Sequence, residues 1–423
     1  MENIYKGYGV SDQIFQLSEE VLTELKPNFE ALDLLTAKNQ LRVIEALQKA
    51  GVRESAFGGS SGYGSYDAGR DALEDAYCSY FRCESALVRM QFSSGTHVLA
   101  TCLRGILRPG DELLVVSSEV YDTLHETLGI GQEEEDKVSL KDFGISHKIV
   151  NLTESGEFDL PTIKASINER TKMIYIQKSI GYSNRPCLLN RQIGELVKAL
   201  RPEYPNLFFM VDNCYGEFVE EEEPTAYGVD LCAGSLIKNP GAGIAESGAY
   251  VCGTEKAVYL VAQMMTASGI GGEIGPTLNQ NRNLIRGFYF GPQVVNAALK
   301  SAMHAAGLLQ KMGYLVNPLP EDERGDIVQR LALGDREKLI AFCQEIQLAS
   351  PVDSAFAPVP SPMAGYDCDI IMASGSFVQG SSIELSCDGP LRPPYNAYLQ
   401  GALNFTNARL AVLRAAERIA QEA

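Results

Sequence analysis

The 423 residues, 45% hydrophobic and 21% charged, have the balance of an ordinary globular protein with enough chain for a large core and a smaller second unit. A formal net charge of −18 leaves no general attraction for phosphate backbones or anionic lipid, so nucleic-acid and membrane partners are not expected. The opening MENIYKGYGV lacks a signal-peptide pattern, no run approaches about eighteen consecutive apolar residues, and no C-x-x-C pair or histidine spacing suggests a metal, so a cytoplasmic, metal-free chain is expected, with Cys102, Cys214, Cys232 and Cys252 reduced and buried.

Apolar positions recur helically at Ile14, Leu17, Val21, Leu22 and Leu25 and again from Leu41 to Leu47, which predicts an N-terminal helical segment within residues 1–60. The Gly-rich stretch FGGSSGYGSYDAG ends it. Next come a helix from Asp71 through Tyr80, a strand Ala86–Phe92, a helix Thr96–Leu107, a turn at RPGD and a strand Glu112–Val116, the alternating order of an α/β protein. Further apolar strands are expected at Met173–Gln177, Leu207–Asp212, Leu231–Leu236 and Ala249–Cys252, with helical segments such as Arg191–Leu200 between them. Such continuous apolar strands predict a mostly parallel central sheet with helices on both faces, in a large domain of residues 61–290. Residues 291–423 read as a smaller C-terminal α/β domain, with a helix Val294–Leu308, short strands near Ile370 and Ile383, and a closing helix. The acidic runs EEED and VEEEE read as solvated loop faces, although Glu217 and Glu220 fall near the candidate site.

Asp212 ends the strand LFFMVD, and in parallel sheets ligands gather at the carboxyl ends of strands. A carboxylate there suits a protonated pyridine nitrogen, which it would keep positive; capping of a following turn is its other use. Lys238 follows an apolar run in AGSLIKNPGAGIA and precedes a Pro/Gly turn. Partial burial would disfavour its ammonium form and free the amine for Schiff-base chemistry, whereas at an open strand end it would only snorkel to solvent. The junction Phe92-Ser93-Ser94-Gly95-Thr96-His97 leads a strand into an amphipathic helix, and its small residues and free N–H groups suit a phosphate, as they also suit an ordinary N-cap. Ser235 can add a hydroxyl to the same anion, and Tyr121 offers either a platform for a flat ring or a packed core side chain. Each signal alone is weak, but their order, each at a strand-to-loop junction, points to one site.

These residues resemble pyridoxal-phosphate (PLP) enzymes of the cystathionine β-lyase and methionine γ-lyase group, and more closely the methionine γ-lyase-like, or aluminium-resistance protein, branch. The resemblance covers nearly the whole chain and is carried by SSGTH, VDNCYGEF, GSLIKNPGAGIAESGAYV and ELSCDGPLRPPYNAYLQG. It implies the PLP-dependent transferase fold type I (aspartate-aminotransferase-like). It further implies that Lys238 carries the cofactor, that Asp212 pairs with its pyridinium nitrogen, that Tyr121 stacks on the ring, and that Gly95, Thr96 and Ser235, with Ser94 in the same loop, hold the phosphate. A homotetramer, built from dimers that lend residues to each other's sites, is also implied. Better-studied lyases use a Tyr-x-Arg pair to reach the partner's phosphate; here GYGSYDAGRDALE leaves Tyr63, Tyr66 and Arg70 as candidates. The lysine context reads SLIK instead of Ser-x-Thr-Lys, so one phosphate hydroxyl is missing there.

A planar arginine fork matches a substrate carboxylate. Arg392, on a loop stiffened by Pro393 and Pro394, is the first choice, and Arg185 in SIGYSNRP could meet the cofactor's phenolic oxygen or the substrate; a surface ion pair is the other use of either. The expected activity is a carbon–sulfur lyase working by β- or γ-elimination on a cystathionine- or methionine-like amino acid to give a keto acid, ammonia and a thiol, with Lys238, Asp212 and Tyr121 as catalytic residues. Transamination, racemisation or aldol cleavage on the same cofactor, or PLP binding without catalysis, are the alternatives.

Overall fold

The computed structural model describes residues 2–131, 138–363, 366 and 368–421; the EEED run lies outside them. The helices are α1 (Asp12–Glu24), α2 (Lys26–Lys49), α3 (Ala68–Phe81), α4 (Gly95–Ile106), α5 (Asp122–Leu128), α6 (Leu160–Ser166), α7 (Asn190–Leu200), α8 (Glu255–Met265), α9 (Asn281–Lys311), α10 (Arg336–Leu348) and α11 (Phe405–Gln421). The strands are β1 (Ser85–Arg89), β2 (Glu112–Val115), β3 (Ser146–Ile149), β4 (Thr171–Gln177), β5 (Phe208–Asp212), β6 (Leu231–Ser235), β7 (Ala249–Gly253), β8 (Leu315–Asn317), β9 (Gln329–Ala332), β10 (Ile370–Ser374), β11 (Ser386–Pro390) and β12 (Asn396–Gln400). Several helices start on a side-chain oxygen that accepts a first-turn N–H: Ser11 for α1, Asp67 for α3, Ser94 for α4 and Asp335 for α10.

The first seven strands form one sheet in the order β1-β7-β6-β5-β4-β2-β3. From β6 through β5, β4 and β2 to β3 the pairing is parallel, while β7 runs antiparallel to both β6 and β1. The sheet is thus mostly parallel with one reversed strand. Side chains alternate across it: Met173, Tyr175, Met210 and Ala233 pack with Val98, Leu103 and Val261 of α4 and α8, whereas Ile174, Ile176, Phe209 and Val211 pack with Ile193, Leu196 and Ile163 of α7 and α6. Helices therefore cover both faces, as the continuous apolar strands require.

The period-two rule also aims the site. Asp212 shares the parity of Met210, and Ser235 that of Ala233, so both face α4.

The remaining five strands form an antiparallel sheet, β10-β11-β12-β9-β8, whose apolar face packs with α1, α9, α10 and α11. Two expectations change here. The helix expected from Val294 begins at Asn281, so position 290 lies inside a continuous helix. Ile383 sits in a single 3-10 turn, and the strand starts at Ser386. All ten cysteines are free thiols, and Cys102, Cys214, Cys232 and Cys252 are buried. No helix among the described residues is long and apolar enough to cross a membrane.

Candidate active site

The carboxyl ends of β1, β2, β4, β5 and β6 lead to the segments that carry the predicted site. A cavity of about 220 Å³ there is lined by Ser94, Gly95, Thr96, Tyr121, Asp212, Ser235 and Lys238, which the sequence had scattered over 145 positions. Thr123, Gln177, Ser179, Cys214, Tyr215 and Tyr366 complete its polar and aromatic wall.

At one end lies the start of α4. Ser94 Oγ accepts the His97 N–H at 3.0 Å, and Thr96 Oγ1 is 2.8 Å from Thr123 Oγ1. A Cβ on Gly95 would come within 3.5 Å of Ser235 Cβ and 3.6 Å of Cys214 Sγ, so the bare backbone here and the serine border the same narrow space.

At the sheet end, buried Asp212 accepts the Cys214 N–H at 3.1 Å and meets the Tyr175 hydroxyl at 3.4 Å. Burial raises its pKa, against the attraction of Lys238 and these hydrogen bonds. Lys238 Nζ stands 4.0 Å from the centre of the Tyr215 ring. Burial alone would lower the lysine's pKa, as expected from sequence, but Cys214, Tyr215, Asp212 and Glu217 outweigh it and push it above the ordinary value. Set against the burial foreseen in the sequence, these neighbours shift the balance toward the ammonium.

Tyr121 is placed by its backbone N–H, which donates to Gln177 Oε1 at 2.6 Å, and its hydroxyl lies 2.8 Å from that of Tyr366. Burial holds the Tyr121 phenol well above its usual pKa, so it keeps its proton at neutral pH.

Arg185 and Arg392 come together, but in a neighbouring cavity of about 460 Å³ shared with Tyr182, Asn184, Asn396 and Tyr398. Tyr182 marks the boundary, since its ring packs edge-on to Tyr121 with centroids 5.5 Å apart. Arg185 donates to the carbonyls of Gln177, Ser179 and Pro186 at 2.7, 2.6 and 2.9 Å, and its Nε is buried with no hydrogen-bond partner among the described residues. The Gly-rich loop behaves differently. Tyr63 and Tyr66 are 77% and 96% exposed and line no part of the cavity, while Arg70 is buried and donates to the carbonyls of Gly64 and Gly275. Arg70 thus spends its fork on its own chain.

The VEEEE run is not uniformly solvated, contrary to expectation. Glu223 is buried and accepts from Asn213 Nδ2 and the Phe218 N–H, and Glu220 lies 2.9 Å from the fully buried Lys178 ammonium. These carboxylates satisfy interior donors that would otherwise be stranded. Beside them Glu217, also fully buried, accepts from the Tyr250 hydroxyl at 2.8 Å, and burial pushes its pKa up to about 8 from an ordinary 4.5. Between those values the folded chain holds a proton that the unfolded chain has released, so Glu217's contribution is full below pH 4.5 and is lost as pH rises through about 8. The unfolding free energy of Glu217→Gln, from urea titrations, should therefore vary less with pH between 5 and 8, the difference in slope approaching about 1.4 kcal/mol per pH unit.

Pyridoxal phosphate requires a carrier amine, an acid for its ring nitrogen, donors for its phosphate and a flat wall. Lys238, the buried Asp212, the cradle left by Gly95 beside Ser235, and Tyr121 meet those requirements within one cavity, so the residues fit the group.

This arrangement of two sheets, with the lysine-bearing cleft at the carboxyl ends of the parallel strands, is the α/β architecture of fold type I, the PLP-dependent transferase class. Yeast cystathionine γ-lyase has the same fold, with a TM-score of 0.59 at 17% identity over 84% of this chain and 87% of that one. Residues 14–420 match the family model described as methionine gamma-lyase, and the chain belongs to that family. It is 44% identical over 403 residues to the uncharacterized protein YnbB of Bacillus subtilis, covering 95% of this chain and 96% of that protein. It is also similar to a structure described as a carbon-sulfur lyase involved in aluminum resistance from Clostridium novyi, at 41% identity and a TM-score of 0.94, covering 98% of each chain.

Proposed function

We propose that the chain is a PLP-dependent carbon–sulfur lyase that eliminates a thiol from the β- or γ-carbon of a sulfur-containing amino acid, leaving a keto acid and ammonia. The observation that carries this reading is the meeting of Lys238, Asp212, Tyr121 and the α4 start in one cavity. When bound, the cofactor supplies a ring that draws electrons from the substrate's α-carbon.

The chain's residues then divide the work. The N–H groups at Gly95 and Thr96 and the hydroxyls of Ser94 and Ser235 bind the phosphate. Asp212 holds a proton-bearing ring nitrogen, Lys238 carries the cofactor and afterwards moves the α-proton, and Tyr121 covers the ring and donates a proton to the departing sulfur. Arg392 takes the substrate carboxylate, with Arg185 beside it in the same cavity and its fork fixing the loop. Tyr63 and Tyr66 await a second copy of the chain, in a homotetramer built from dimers.

The test is to offer the purified protein cystathionine, methionine, cysteine and homocysteine in turn and to measure keto acid, ammonia and thiol together. Equimolar release of all three from at least one of them is expected. Amino-group transfer or racemisation without thiol would replace elimination by another reaction, and bound cofactor with no turnover would leave a binding protein.

A further inference from the structure

We propose that Tyr366 is a positioning residue for elimination, holding the Tyr121 phenol through its hydroxyl and supporting the charge left on Tyr121 when that phenol gives up its proton; this rests on the lyase reading above. Tyr366 comes from the segment before β10, and Tyr121 from the turn between β2 and α5, so two remote parts of the chain converge on one pair of hydroxyls. The two oxygens are 2.8 Å apart, a full-strength O–H···O contact, and both side chains line the Lys238 cavity. Tyr182 packs against both rings, with centroids 5.5 and 5.7 Å away, and so limits the freedom of the pair.

The chemistry gives this contact a purpose beyond packing. When the C–S bond breaks, its electron pair goes to sulfur and the phenolic proton of Tyr121 follows it, so a free thiol departs. The Tyr121 oxygen is then anionic in a place where burial opposes the phenolate. Once Tyr121 has lost its proton, the Tyr366 hydroxyl, 2.8 Å away, can turn its own proton onto that oxygen by rotation about its C–O bond alone, and water restores the lost proton before the next turnover. Gln177 fixes the backbone end of Tyr121 and Tyr366 fixes the hydroxyl end, so the acid is held at both ends.

Tyr366→Phe keeps the ring and deletes only the hydroxyl. The informative measurement is kcat/KM over a series of S-substituted cysteines whose thiols span alkyl to nitroaryl. Aryl thiolates leave without a proton, so their rates should stay within about twofold of wild type, whereas alkyl leaving groups should slow by about tenfold or more. The cofactor's dissociation constant, titrated spectroscopically into the cofactor-free protein, should change by less than about twofold. Parallel loss across the whole series, or a marked loss of cofactor affinity, would reduce Tyr366 to a structural part and overturn the inference, as would alkyl rates equal to wild type. A wild-type protein that released no thiol from any member would instead overturn the lyase reading itself, and the inference with it.

Discussion

Lys238→Ala is expected to lower turnover by at least about a thousandfold and to abolish covalent retention of the cofactor. Two functions leave with one side chain, the amine that carries the cofactor and the base that moves the α-proton. Neither Cys214, whose thiol burial pushes far up, nor Lys178, which faces Glu220, can replace it. The phosphate cradle at Gly95, Thr96 and Ser235 is untouched by the change, so cofactor should still bind, reversibly. Borohydride treatment followed by mass spectrometry separates these outcomes. The wild-type peptide containing residue 238 should gain the mass of the reduced cofactor, while the variant should gain none and lose its colour on dialysis. A variant that kept covalent cofactor or turned over at the wild-type rate would remove Lys238 from the proposed role.

The parts of this site that were legible in the sequence share one property: their signals are local. An apolar run ending in Asp212, a run ending just before Lys238, and a strand passing through Ser-Ser-Gly into a helix each declare a strand end within a few residues, and strand ends converge when the sheet is parallel. The tyrosines around the cavity carry no such mark. Tyr182, Tyr215 and Tyr366 have the composition of core residues and meet only because β4, β5 and the segment before β10 come together in space. Tyr215 is also held at φ 72°, a backbone state that no pattern of residues around it announces.

Direction was equally hidden for β7, because a strand buried on both faces reads the same whether parallel or antiparallel to its neighbours. The early start of α9 was masked by Gly287, Gly291 and Pro292, which look like breakers. The two glycines are there for close approach: a Cβ on Gly287 would lie 2.7 Å from the Gly241 carbonyl oxygen, and one on Gly291 would lie 2.4 Å from the Phe218 ring. The apolar run before Lys238 announces its burial, whereas Cys214, Tyr215, Asp212 and Glu217 come beside it only in the folded chain.

Asp212→Asn should cost about a hundred- to a thousandfold in kcat, roughly 3–4 kcal/mol of transition-state stabilisation, with a much smaller effect on cofactor affinity. The amide keeps the shape of the carboxylate and can still accept the Cys214 N–H at 3.1 Å, with its nitrogen turned toward the Tyr175 hydroxyl, so the fold has little reason to change. What disappears is the negative charge facing the ring nitrogen. A neutral amide does not hold a proton on that nitrogen, and the ring then accepts electrons from the α-carbon less readily. Affinity should suffer less because the phosphate, at the α4 start, lies outside the reach of this change. Steady-state kinetics together with a spectroscopic cofactor titration distinguish the two effects. If kcat stayed within about twofold of wild type, Asp212 would be no more than the cap that its position at a strand end first allowed.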